Sequence, residues 1–176
     1  MRNAVLALAL TLAACATPQV TRTTLVAADA ATSLIVGESV AQETSVRRGY
    51  GGNDPYIAFT LRHADGRALT FQEGNHTASD LLAQSAGGAL AQVMGVGEDV
   101  TTLYHAASGE RAGAEAPFFC GPQGPAALGV HRGIDGTIRM VGLRQPFQSE
   151  VRPDGQIEML PYSPDQVCAR LTFRAP

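Results

Sequence analysis

Hydrophobic and polar positions alternate with a period of two over Tyr56–His63. Ile57, Phe59, Leu61 and His63 fall on one side, and Tyr56, Ala58, Thr60 and Arg62 on the other. A period of two marks a half-buried β-strand. The pattern resumes at Leu69–Phe71, after Asp65-Gly66. The arrangement recurs twice: Ala127–His131 and Thr137–Leu143 flank Asp135-Gly136, and Glu150–Arg152 and Gln156–Leu160 flank Asp154-Gly155. Asp-Gly between alternating runs predicts a β-hairpin, because both central positions of a two-residue turn favour positive φ. Val100–His105 and Val167–Phe173 predict further strands. Ser33–Val46 alternates imperfectly and predicts a strand interrupted near Gly37, whereas Leu25–Ala31 fits helix or strand. The hairpins recur at no fixed period, so neither a propeller nor a solenoid is indicated.

One stretch changes period. Leu82, Ala86, Ala89, Leu90 and Val93 share a helical face, Thr77 and Asp80 supply an N-terminal cap and a first-turn carboxylate, and Gly95 a stop. Gly87 and Gly88 sit inside this predicted helix, where each costs about 1 kcal/mol against Ala. They suit close packing of the helix on a sheet, with a hinge or a site as the alternative. The expected fold class is therefore α+β, mainly antiparallel β: three Asp-Gly hairpins and one helix packed on the sheet.

The N-terminus follows another pattern. Arg2 precedes an apolar run, Ala4–Leu12, broken only by Thr11 and followed by small residues and Cys15. The run is far short of the roughly 20 residues a spanning helix needs, and its three-part layout is that of a secretory signal. Leu12-Ala13-Ala14-Cys15 resembles the lipobox of bacterial lipoproteins. That resemblance, confined to Met1–Ala16, implies cleavage before Cys15, a diacylglyceryl thioether on its sulfur and a further acyl chain such as palmitate on its amino group. Ala16, in place of Asp, implies sorting to the outer membrane, facing the periplasm. The chain then divides into a signal peptide (1–14), a lipidated tether (15–24) of about 30 Å extended reach and a single periplasmic domain (25–176).

Composition narrows the partners. The 176 residues carry a net charge of −3, and every basic side chain is arginine. No basic run exists, which argues against nucleic acid and against a polybasic membrane patch. With tryptophan absent and aromatics few, a stacking platform is not evident. The expected partners are the membrane, through the lipid, and an envelope protein.

Cys120 and Cys168 remain in the mature chain. Outside the cytoplasm such a pair predicts a disulfide, with two free thiols as the alternative. No CxxC or HxxxH spacing accompanies them, so no metal or cofactor is expected. GxSxG, HExxH, the phosphate-binding loop and a GxGxxG in strand-to-helix context are absent. Four histidines are left: His63, His76, His105 and His131. His63 lies near Asp65, and His131 near Asp135; either can act as a base oriented by its carboxylate, and either fits an ordinary strand end beside a turn. Among binding residues, Arg47, Arg48, Asn53, Asp54 and Tyr56 in a Gly-rich loop suit an acidic partner, and the Gly-Pro turn from Cys120 to Pro125 is a second candidate surface. The expected function is a non-enzymatic binding or assembly role in the envelope. The alternatives are a module that inhibits a cell-wall hydrolase, or a small hydrolase using one of these His–carboxylate pairs.

Overall fold

The computed structural model describes residues 20–48, 55–73, 90, 92–96, 101–106, 117–145, 149–160 and 164–175. Cys15 and the apolar run before it lie outside the described residues, as do Asn53, Asp54, His76 and most of the predicted helix, Thr77–Ala89.

The strands are β1 (Val20–Ala27), β2 (Ser39–Arg48), β3 (Pro55–Arg62), β4 (Ala68–Glu73), β5 (Thr101–Ala106), β6 (Ala127–Arg132), β7 (Thr137–Leu143), β8 (Ser149–Val151), β9 (Ile157–Met159) and β10 (Val167–Arg174). One short helix, α1 (Ala30–Val36), joins β1 to β2. The predicted sheet is closed on itself. β1 to β7 pair antiparallel in sequence order, and β10 returns between β7 and β1. The β8–β9 hairpin is an insertion with its own two-stranded sheet. Closure removes the exposed sheet edges that an open sheet would present.

Alternation decides which side chains fill the barrel. Phe59, Leu61, Phe71, Leu128, Met140 and Phe173 point inward and form one buried cluster. Charged Arg22, Glu43 and Arg62 share the outer face of β1–β3, with Arg22 Nε 3.1 Å and Arg62 Nε 3.9 Å from Glu43 Oε1. A barrel that spans a bilayer has the opposite arrangement, apolar outside and polar within. A second cluster lies outside the barrel wall, where Leu90 and Val93 pack on Ala127, Val141 and Leu143. These two residues are the described part of the predicted helix face. A Cβ on Gly129 would meet Leu90 Cδ1 at 2.5 Å and Val141 Cγ1 at 2.8 Å, so glycine at this strand position lets Leu90 lie close on the wall. Arg170 Nη1 donates to Val93 O at 2.7 Å, satisfying a carbonyl of that turn.

Several expectations are corrected. Val20–Thr24, assigned to the tether, belong to β1. Ser33–Val36, expected as strand, are helical. Asp29 caps α1 by accepting from Thr32 N at 2.7 Å, and Gly37 ends it at φ 78°. Buried Thr32 turns its hydroxyl to Thr172 N (2.8 Å), extending by a side chain the short β1–β10 seam of Val26↔Arg174 and Ala27↔Phe173. The three Asp-Gly hairpins form, with a different turn. Gly66, Gly136 and Gly155 have positive φ, whereas their aspartates do not. In each, the glycine N–H donates back three residues, to His63, Gly133 or Arg152. Each aspartate accepts from the N–H two residues on: Arg67 (3.0 Å), Thr137 (2.9 Å) and Gln156 (2.9 Å). This is a type I turn followed by a glycine bulge, with Asp as its side-chain brace.

Candidate functional site

The connections gather at two ends. At the upper end lie α1, the β3–β4 turn, the segment leading into β6 and the β8–β9 insertion. At the lower end lie the start of β1, the β6–β7 turn and the ends of β2 and β10.

The upper end is closed by Phe118 and Phe119, both buried in the barrel core and edge-on at 5.2 Å. Cys120 follows in the left-handed region at φ 65° and is bonded to Cys168, with Cα atoms 5.1 Å apart. The expected disulfide is thus present, and it ties the plug to β10 at the bulge between Val167 and Ala169. Gly142 makes room for it: a Cβ there would lie 2.7 Å from Cys120 Sγ and 3.1 Å from Phe119. The β3–β4 turn clasps the same segment. Arg67 Nη1 donates to Pro117 O at 3.5 Å, and the His63 ring lies 5.4 Å from Phe118.

His63 and Asp65, paired from the sequence, do meet. Nδ1 lies 2.8 Å from Asp65 Oδ1, and the Asp65 backbone N–H donates toward the same nitrogen at 3.3 Å. Asp65 also accepts from Arg67 N and, at 2.7 Å, from Arg67 Nε. The Arg67 backbone N–H, aided by His63 and the Arg67 guanidinium, holds this carboxyl well below its ordinary value, at about 2. The arrangement orients a carboxylate and braces a turn. The Gly-Pro turn of Gly121–Pro125 sits beside it, with Pro117 and Leu69 against Gly124.

The lower end is less built. His131 stands in register with Thr101 and Arg139. Asp135 serves its own turn through Thr137 N, the main cause of its lowered pKa. His131, Arg132, Ile134, Asp135 and Arg139 line an open depression of about 510 Å³. His105 is on β5 opposite Gln72 and Ala127, and burial lowers its pKa. The described histidines are therefore spread over the wall and both ends. Arg47, Arg48 and Tyr56, expected in a loop, are strand residues: the β2–β3 ladder runs through Arg47↔Tyr56 to Arg48↔Pro55.

Sequence reasoning missed one polar link inside the barrel. Gln42 is buried on β2 and donates through Nε2 to Thr44 Oγ1 at 3.3 Å. Arg132 at the end of β6 reaches across the lumen, Nη2 donating to Gln42 Oε1 at 3.5 Å. The usable signal was the parity of Val40, Gln42 and Thr44, which places a glutamine on the inward side.

Compared with known proteins, the chain matches no family model, no curated protein and no solved structure.

Proposed function

We propose that this protein is a lipid-anchored component of the bacterial cell envelope with a non-enzymatic binding or assembly role, held through Cys15 at the outer membrane and facing the periplasm. Two features support the address. One is Leu12-Ala13-Ala14-Cys15; the other is the Cys120–Cys168 disulfide, a bond that persists in oxidising compartments. The observation that carries the role is the construction of the upper end. Turn, plug and Gly-Pro segment are fastened to one another and to β10, giving a fixed surface on which Asp65, Arg67 and Gly121–Gly124 are presented. Among the described residues, large apolar side chains pack into the barrel interior, while this surface lies at its end. An envelope protein is the partner such a surface suits.

Metabolic labelling with a fatty acid tests the anchor: the chain is labelled, and Cys15→Ser abolishes labelling and membrane retention. An unlabelled chain ends this assignment. A photo-crosslinker at exposed Gln123 tests the role. A discrete envelope-protein adduct, lost on Asp65→Ala or Arg67→Ala, supports it, and adducts indifferent to both substitutions refute it.

One observation favours an enzymatic reading, the 2.8 Å His63–Asp65 contact. It requires hydrolysis of wall or lipid ester material that His63→Gln removes and His131→Gln leaves intact.

A further inference from the structure

We propose that the lower end of the barrel docks on an anionic phospholipid surface. The inference rests on the lipid-anchor reading above and assigns a second, electrostatic contact to the membrane. Three observations converge on this end.

The first is where the chain enters. β1 begins at the lower end with Val20, paired to Ser45 near the end of β2. Only residues 16–19 separate Val20 from Cys15. Fully extended, that connection spans about 17 Å. A lipid on Cys15 therefore keeps the start of β1 at this end within about 17 Å of the bilayer.

The second is charge. Four barrel strands run toward the lower end, and three finish in arginine: β2 in Arg47-Arg48, β6 in Arg132 and β10 in Arg174. Arg174 precedes Ala175, whose N–H donates to Gly136 O of the β6–β7 turn at 3.2 Å. The fourth strand, β4, ends in Glu73, and Asp135 lies in the turn with its carboxylate on Thr137 N. Among the described residues of this end, five arginines, counting Arg139 beside Arg132, are thus placed with two carboxylates, in a chain of net charge −3. No run of basic residues encodes this patch; the fold assembles it.

The third is exposed aliphatic surface. Ile134, at the tip of the β6–β7 turn, is 108% exposed, and Val20 and Val46 at the same end are about half exposed. Arginines beside protruding aliphatic tips suit an anionic headgroup layer, where guanidinium groups meet phosphates and the tips enter the acyl boundary. Tether length and charge both select a lipid surface as the occupant.

The mature lipidated chain, reconstituted in vesicles, tests this. Ile134→Cys provides a site for an environment-sensitive fluorophore, as the native cysteines are lipidated or disulfide-bonded. Leu34→Cys on α1 at the upper end is the control position. With phosphatidylglycerol mixed into phosphatidylcholine and a headgroup-borne quencher, the Ile134 probe is quenched several-fold more than the Leu34 probe. Salt at about 1 M, where the screening length is about 3 Å, removes the difference. So does combined Arg47→Gln, Arg48→Gln and Arg132→Gln. Equal quenching at both positions, or a contrast unchanged in pure phosphatidylcholine, overturns the docking while flotation of the vesicle-bound chain leaves the anchor standing. A chain that does not float with vesicles overturns both.

Discussion

At the upper end of the barrel, connections converge and are fastened to one another; at the lower end, three of the four described strands that run there finish in arginine, beside aliphatic tips. Phe118 and Phe119 fill the upper mouth, the disulfide ties them to β10, and the His63–Arg67 turn clasps Pro117. Below, the contact across the lumen is a long hydrogen bond from Arg132 to Gln42, and Ile134 stands fully in water. Both ends use an Asp-braced glycine turn, so turn chemistry does not distinguish them. What differs is burial. The upper end contributes Phe118 and Phe119 to the core, while among the described residues of the lower end Ile134 is fully exposed and Val20 and Val46 about half exposed.

Phe119→Ala should break the upper end most, costing about 3–5 kcal/mol for a buried phenyl group. Urea unfolding measures it, and Ile134→Ser at the lower end should move the same curve by no more than about 0.5 kcal/mol. Comparable losses at the two positions would erase the contrast. Next, Cys120→Ser with Cys168→Ser should cost about 4 kcal/mol in the chain-entropy model for a separation of 48 residues. Thermal unfolding of the double variant reads this directly. Gly142→Ala follows, at about 1–3 kcal/mol, because its Cβ would press on a sulfur that the disulfide holds in place. Gly129→Ala should cost less, since the nearest atom is the far end of the Leu90 side chain. A ranking of Gly129→Ala above Gly142→Ala would place the tighter packing outside the barrel wall.

The smallest effect is a pH dependence. Asp65 has its carboxyl lowered from 3.8 to about 2 in the folded chain, so the unfolded chain binds the proton more readily. Its stabilising contribution is complete above about pH 4 and disappears as pH falls toward 2. Asp65→Asn should flatten that part of the pH–stability curve. An unchanged acid limb in the variant would mean that the brace at this turn contributes nothing.

Much of the fold was legible in residue patterns. The alternation of Tyr56–His63 and the Asp-Gly pairs marked strands and hairpins, because a period of two and a glycine at positive φ are local requirements. The turn type was not legible: Asp-Gly suits a two-residue turn equally, and only the bulge geometry shows the aspartate bracing the N–H two residues on. α1 escaped because Ala30–Val36 is short and rich in β-branched residues, and its stability comes from the Asp29 cap and from Thr32 meeting β10. His63 with Asp65 was legible because both lie in one turn. Gln42 with Arg132 was not, since they are far apart in sequence and meet only when the sheet closes.

By itself the sequence determined most of the strands from β3 onward, the places of the Asp-Gly turns, the apolar N-terminal run before Cys15 and the pair of cysteines available to bond. Each depends on neighbours along the chain or on residue chemistry alone. The tertiary structure decided that the sheet closes, which side chains plug it and that arginines from three distant strand ends share one rim. Those outcomes depend on register and closure, which bring together residues that no local pattern connects.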